Sequence, residues 1–573
     1  MLKVVRVIVA VAIFSLITAW FLDFTNLVPD SVGKLTTIQF FPAMLGKSVA
    51  ILAGILVLTI LFGRFYCSTI CPLGILQDLF IRVRRWWTPK KKFTYRKGWT
   101  WLRWTMGVLC LLPFFGILHI LFDPYAIFGR IATQLFRPIY IFGNNVLASI
   151  CTRYENYTFY YVEYFGVTLG AVLLSVAMLV LIGWLATRFG RLYCNTLCPV
   201  GAVLGGLSKF AIFRVRIDPS KCVSCGLCEA VCKSECIDSK EKIVETSRCV
   251  DCFNCLSSCR KGAIRLELAT SHKSTPVAES AVESTKTESA TEPTKAESAK
   301  ESAARAVGAT TNSVKSGSQE APKSQEALKS PKASRSQSSP SDSSESVGVS
   351  RRGIFAWAAS AAGVTLATGA ASPQEPQVLY NTGKTPYSPA SPVSPPGALA
   401  IRHLQHHCTA CQLCVSKCPS HVLRPATLEY GLAGFMQPLM DFTKGFCNYD
   451  CVRCGEVCPN HAIRLLSVKE KHETQAGKAV FIRENCVVPV DGTNCGACAE
   501  HCPTQAVHMV PFEGSLTIPE LDVELCVGCG ACEHICPVRP FRAIHVEGCE
   551  RHGVAKQPPE EKKETVVLDG FGF

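Results

Sequence analysis

The sequence predicts a multi-domain chain. Its expected parts are an α-helical membrane domain of four spans with a fifth candidate, a small α+β domain, a disordered linker and a larger α+β domain. Three observations carry this. Long apolar stretches fill the N-terminal third. Cysteines recur at fixed spacing in two later regions. A stretch rich in Ser, Ala, Lys, Glu, Pro and Thr separates those regions.

The first expected part is residues 1–215. Apolar stretches at 4–24, 49–62, 101–122 and 165–186 suit bilayer spans. Trp20, Trp101, Trp104 and Trp184 stand at their ends, as interfacial anchors do. The net charge of +14 is unevenly placed. Residues 64–103 carry ten Lys/Arg against Asp78 alone, and residues 187–221 carry six against Asp218 alone. Basic charge beside apolar runs is a topology signal, so a nucleic-acid partner is not expected. The same rule places the N-terminus and both basic segments in the cytoplasm, and the balanced loops 23–47 and 123–163 outside.

An internal repeat lies in this part. Gly63-Arg64-Phe65-Tyr66-Cys67-x3-Cys71-Pro72 recurs as Gly190-Arg191-Leu192-Tyr193-Cys194-x3-Cys198-Pro199. In a helix, cysteines four apart share a face. Cys67, Cys71, Cys194 and Cys198 are therefore candidates for a redox centre, a cluster or a labile disulfide, against the plainer reading of buried thiols at helix starts.

Residues 216–268 and 401–550 carry the remaining pattern. The first has Cys222, Cys225, Cys228, Cys232 and Cys249, Cys252, Cys255, Cys259. The second has four groups: Cys408, Cys411, Cys414, Cys418; Cys447, Cys451, Cys454, Cys458; Cys486, Cys495, Cys498, Cys502; and Cys526, Cys529, Cys532, Cys536. The C-x2-C-x2-C-x3-C spacing is that of ferredoxins, in which three close cysteines hold one [4Fe-4S] cluster and the fourth ligates another. Disulfide frameworks have no reason to repeat it, and zinc sites use pairs of C-x2-C. Eight ligands imply two clusters in 222–259 and sixteen imply four in 408–536. Cys236 is surplus. Proline follows the fourth cysteine in the second region, whereas Lys233 and Arg260 follow it in the first. Short strands are expected at 243–244 and 263–266, and similar apolar steps recur at Ala462-Ile463, Ala506-Val507 and Ala543-Ile544. With every ligand position used by a cluster, no open coordination site or substrate triad remains. A wire for single electrons is the simplest role.

Residues 269–349 have almost no large apolar side chains and are expected to be a disordered tether. Arg351-Arg352 then precede a modest apolar run in 350–372, read as a twin-arginine export signal or a fifth span. Both readings place the chain beyond residue 372 outside the cytoplasm. A Pro-rich spacer at 373–400 and a tail at 551–573 complete the chain.

Residues 1–268 resemble the NapH-type membrane component of quinol dehydrogenases, with two C-x3-C-P copies followed by a two-cluster ferredoxin. Residues 350–550 resemble the exported NapG or MauM type, a ferredoxin with four clusters. The resemblance implies a fused module in a bacterial inner membrane. It would draw electrons from menaquinol or ubiquinol and feed a periplasmic redox enzyme or cytochrome, with nitrate reductase as the precedent. It also implies that the first of the four groups pairs with the fourth, and the second with the third. His119 and Asp123, at the outer end of the third stretch, are candidate quinone residues. His403, His406 and His407 precede the first group without a haem-attachment motif. Two other functions are compatible with the pattern: an assembly factor that reductively activates a metalloenzyme, and the iron-sulfur subunit of a larger oxidoreductase.

Iron and sulfide analysis of the purified chain is expected to give about six clusters; clearly fewer than five contradicts the ligand inventory.

Overall fold

The computed structural model describes residues 2–25, 27–88, 93–111, 121–269 and 381–557. The chain divides into two compact units, Met1–Lys273 with Gln377–Phe573, and Ser274–Pro376. The second unit lies outside the described residues, and so do His119, Arg351-Arg352 and all but the first residue of the expected linker.

Among the described residues, two helices are long and apolar enough to cross a membrane, Leu2–Leu22 and Leu169–Phe189, each of 21 residues. At 1.5 Å per residue each is about 32 Å long, close to the hydrocarbon thickness of a bilayer. Their outward faces stay apolar: Val5, Ile8, Val11 and Leu16 are exposed on the first, and Leu173, Val180 and Trp184 on the second. Among the described residues the other two expected spans are shorter. Val49–Phe62 has 14 residues, about 21 Å, because Gly63 at φ 75° ends it. Upstream, Phe40–Leu45 is a separate helix, and Lys47 at φ 54° turns the chain between the two. The third stretch is helical over Thr100–Leu111, and residues 112–120 lie outside the described ones.

Two stretches expected as loops contain helices. Pro72–Trp87 starts with proline at its first position and turns Leu73, Leu76 and Ile81 inward. Pro124–Ile131 is buried along its whole length. Asp123 caps it, accepting hydrogen bonds from the Tyr125 and Ala126 amides at 3.1 Å each. The chain continues through one π turn, Ala132–Phe136, into Arg137–Arg153.

The cysteine-rich regions fold as small two-stranded units. In the first, β1 (Phe213–Ile217) pairs antiparallel with β4 (Ile264–Leu268), enclosing the hairpin β2 (Ile237–Asp238) and β3 (Ile243–Val244). In the second, β5 (Leu423–Pro425) and β6 (Pro438–Met440) form a hairpin between the first two cysteine groups. There β7 (Thr474–Phe481) pairs with β10 (Ile544–Val554) around the hairpin β8 (Val507–Pro511) and β9 (Thr517–Leu521). The third and fourth groups thus repeat the topology of residues 213–268. Residues 391–397 are packed into this unit: the Gly548, Met440 and Arg464 amides donate to the carbonyls of Ser391, Val393 and Gly397.

The two cysteine-rich units contact opposite ends of the same helices. Near the start of Leu2–Leu22, Lys3 Nζ donates to Ser257 Oγ at 3.3 Å. Just past its end, Lys417 Nζ stands 2.7 Å from Asp23 Oδ2, with side chains 1% and 4% exposed, and lies over the Trp20 ring at 4.1 Å. Leu169–Phe189 runs the other way: Gly170 near its start meets Thr427, and Gly190 just past its end packs on the Lys233 carbonyl. Around this axis Phe14 and Phe21 pack on Phe128, with ring centroids 5.4 and 6.3 Å apart.

Removing one partner of a buried ion pair strands the other. Lys417→Met is expected to cost about 3–5 kcal/mol, seen as earlier proteolysis and thermal loss of residues 401–550 in detergent. The double change Asp23→Asn, Lys417→Met is expected to recover most of that, because it removes the unpaired charge and keeps an acceptor for the Thr25 and Leu27 amides.

Candidate functional site

Each cysteine group is built on the same local device. The third cysteine is the second residue of a short helix, as in Leu227–Ala230, Asn254–Ser258, Leu413–Ser416, Arg453–Glu456, Ala497–Glu500 and Ala531–Ile535. Where the spacing is C-x2-C-x2-C, the residue before the helix is left-handed: Gly226 (φ 71°), Phe253 (φ 57°), Gln412 (φ 63°) and Gly530 (φ 79°). The two groups with a longer first interval have Val452 at φ −114° and Gly496 at φ −124° there. Extra residues let the loop close without the left-handed turn. Phe253 and Gln412 adopt it despite having side chains, a conformation that the surrounding structure must hold in place. After the fourth cysteine of three C-terminal groups a left-handed residue (His421, His461, Gln505) turns amides back, and the Ile463 amide donates to Cys458 Sγ at 3.5 Å.

The thiols converge in sets that cross between neighbouring groups. Cys414 lies within electrostatic reach of Cys408, Cys411 and Cys458. Cys454 reaches Cys447, Cys451 and Cys418. Cys498 reaches Cys486, Cys495 and Cys536. Cys532 reaches Cys526, Cys529 and Cys502. The first group therefore exchanges its fourth cysteine with the second, and the third with the fourth. This corrects the pairing that the resemblance implied. The cause is local: the hairpins β5–β6 and β8–β9 return the chain beside the group it has just left. In the N-terminal unit Cys255 reaches Cys249, Cys252 and Cys232. Cys222, Cys225 and Cys228 form the other set, for which the crossed topology leaves Cys259. The C-terminal sets also adjoin one another, since Cys414 reaches Cys454, the Cys447 amide donates to the Cys529 carbonyl at 2.9 Å, and Cys532 reaches Cys498.

The repeat brings its four cysteines together as well, but not on helix faces. Cys67 lies in Tyr66–Thr69, whereas Cys71 caps the next helix in extended backbone. Cys194 and Cys198 repeat this arrangement. Pro72 and Pro199 break what would have been one helix. The copies interlock through their arginines. Arg64 Nη2 donates to the Cys194 carbonyl at 2.8 Å, and Arg191 Nη1 to the Cys67 carbonyl at 2.6 Å. All four cysteines are buried.

The surroundings fit negatively charged clusters. Burial pushes the Cys411 and Cys529 thiols up to about 12, so free thiolates would be costly there, whereas bound iron deprotonates a thiol outright. Arg130 and Arg137 are buried with no guanidinium nitrogen hydrogen-bonded among the described residues. Arg130 lies within electrostatic reach of Cys411 and Arg137 of Cys418. Asp78 carries three cations, Arg191 at 2.9 Å, Lys233 at 2.8 Å and Arg6 at 3.3 Å, and Lys233 also reaches Cys252. The excess positive charge suits an anionic group beside it. Among the described residues no three His, Cys, Asp or Glu side chains close on a single ion.

Of the other expected residues, Asp123 is buried and tied to its helix cap. His403 and His407 stack at 4.2 Å on a half-buried helix. Cys236 is 1% exposed with its Sγ 3.6 Å from Cys232 Sγ. The sequence carries no signal for Arg130 and Arg137, and marks Lys233 only as a departure from proline after Cys232. Arg64 and Arg191 did carry a signal, their recurrence three residues before each first cysteine of the repeat.

Family models described as 4Fe-4S binding domains match residues 47–91 with 169–218, and residues 215–238. A 4Fe-4S dicluster domain matches 446–506 and 491–539. The methylamine utilization ferredoxin-type protein MauN of Methylobacillus flagellatus is 31% identical over 223 residues, 38% of this chain and 66% of that protein. The methylamine utilization ferredoxin-type protein MauM of the same organism is 32% identical over 145 residues, 23% of this chain and 58% of that protein. The ferredoxin-type protein NapF of Escherichia coli is 27% identical over 126 residues, 22% of this chain and 68% of that protein. No solved structure matches.

The crossed sets make a testable claim. Cys418→Ala is expected to remove one cluster, and adding Cys451→Ala to remove no more, whereas adding Cys411→Ala removes a second; iron content and EPR spin counts read this out. Taken together, these matches and relatives place 4Fe-4S binding domains in the chain and relate it, at low identity, to ferredoxin-type proteins.

Proposed function

We propose that the chain is a membrane-bound electron carrier that takes electrons from the quinol pool and delivers them to a redox enzyme outside the cytoplasm. One observation carries the reading. The cysteine-rich unit at 213–268 and the one at 401–550 contact opposite ends of two apolar helices, each about 32 Å long. A bilayer around those helices would leave one unit on each side. The basic segments support a cytoplasmic side, in a bacterial cell, for the N-terminus and residues 222–259, and either a twin-arginine signal or a fifth span at 350–372 would put residues 408–536 on the other face. The cysteines of the six convergent sets are the cluster ligands, and clusters in such reach of one another pass single electrons. His119 and Asp123 would serve the quinone from the outer end of residues 101–122.

In proteoliposomes, menaquinol or ubiquinol is expected to reduce the clusters of residues 408–536. Clusters that dithionite reduces and quinol does not would exclude the quinol link. Activation of an isolated metalloenzyme without sustained turnover would mark an assembly factor instead. In spheroplasts, external protease is expected to cut residues 400–550, and shielding of that region would overturn the topology.

A further inference from the structure

The two cysteine-rich units lie at opposite ends of the helices, and the four buried thiols of the repeat lie between them. Cys194 and Cys198 are within electrostatic reach of Cys67, and Cys198 also of Cys71. Two thiols come from each copy. Cys71 and Cys198 cap Pro72–Trp87 and Pro199–Leu207, so two helix N-termini face the same group, and the Gly201 amide donates to Cys198 Sγ at 3.3 Å.

A second feature points to thiolates there. Cys194 Sγ lies 3.5 Å from Gln77 Oε1, on a side chain that is 0% exposed, and Gln77 Nε2 has no hydrogen-bond partner among the described residues. With a neutral thiol the amide accepts and its NH2 is stranded, a buried donor left unmade. With a ligated thiolate the amide turns over, Nε2 donates to sulfur and the stranded donor is satisfied. Arg64 and Arg191, both 0% exposed, supply positive charge on either side.

The site is also connected at both ends. Towards residues 213–268, the Arg191 amide donates to the carbonyl of Lys233, next to Cys232, at 2.8 Å, and Gly63 packs on Asp251, between Cys249 and Cys252. Towards residues 401–550, the Tyr193 hydroxyl donates to the Phe122 carbonyl at 2.8 Å, and the helix after Asp123 brings Gly129 against the Cys411 carbonyl.

We infer that Cys67, Cys71, Cys194 and Cys198 together hold one further iron-sulfur cluster, shared between the two copies, which relays electrons between the set at Cys232, Cys249, Cys252 and Cys255 and the set at Cys408, Cys411, Cys414 and Cys458. The step is a single-electron exchange. A reduced cluster of the first set gives one electron, one ferric iron of the shared cluster becomes ferrous, and the electron leaves to an oxidised cluster of the second set. No covalent bond forms or breaks and no proton moves. The relay rests on the electron-carrier reading; the metal site does not.

The test uses the full chain, purified anaerobically, with Cys67→Ala, Cys198→Ala and the double variant. Each single variant is expected to lose the iron of one cluster, and the double variant no more, with the EPR signals of the other six retained as the check on folding. Gln77→Leu is expected to lower one midpoint potential and leave the rest in place. In oriented proteoliposomes, reduction of the clusters of 408–536 by dithionite supplied at the 222–259 side is expected in the unsubstituted chain and lost in the alanine variants. Unchanged iron in both single variants, with the four cysteines recovered as free thiols or disulfides, overturns the site. Loss of iron with undiminished transfer overturns the relay. Quinol-dependent reduction that persists through either outcome leaves the proposed function standing without this cluster.

Discussion

Two buried arginines hold the centre of this molecule. A guanidinium removed from water costs several kcal/mol unless its charge and donors are met. Arg64 and Arg191 meet theirs by reaching across the repeat, each to the carbonyl of the other copy's first cysteine. Arg64 goes on to Asn195 Oδ1 at 2.6 Å, and Arg191 to Asp78. Arginine can do this because its planar fork presents several donors in fixed directions. The two copies, the helix Pro72–Trp87 and the unit at 213–268 are thereby fastened at one point, and the position of the four thiols follows from it.

The C-terminal unit is fastened differently. Its contact with the apolar helices is a mixture of one buried ion pair, a Gln134 to Gln412 hydrogen bond at 2.8 Å and close backbone approach at Gly129. Polar groups in such a joint specify how two surfaces meet, because a shift would leave each of them unpaired in a dry interior. The result is that the first two C-terminal sets lie beside the N-terminal helices, Gly129 against the Cys411 carbonyl and Arg137 within electrostatic reach of Cys418. The sets adjoin in the order first, second, fourth, third, which differs from their order in the sequence.

How far the sequence speaks can be judged from particular residues. The C-x2-C-x2-C-x3-C spacing is legible because cluster chemistry fixes which residue types stand at which intervals, whereas the short helix at each third cysteine comes only with the fold. Strands are found at 243–244 and 264–268, close to where they are expected, and of the three recurring apolar steps those at Ala506 and Ala543 lead into strands whereas Ala462-Ile463 does not. The spans are less legible, since hydropathy reports composition and not where Gly63 or Lys47 turns the chain. The segments at 72–87 and 124–153 were hidden by their charge and by proline, which at a first helical position starts a helix as readily as it ends one.

By itself, the sequence determined the chemistry: which thiols are spaced to hold clusters, which stretches are apolar and which copies repeat. Those are local properties, written in residue type and interval. The tertiary structure alone decided partnership. Which fourth cysteine serves which set depends on where a hairpin returns, and whether Cys67 meets Cys198 depends on two arginines 127 positions apart in the chain, Arg64 and Arg191, satisfying one another's surroundings. Such pairings are set by burial and by the cost of unpaired charge, and neither quantity exists until the chain has folded.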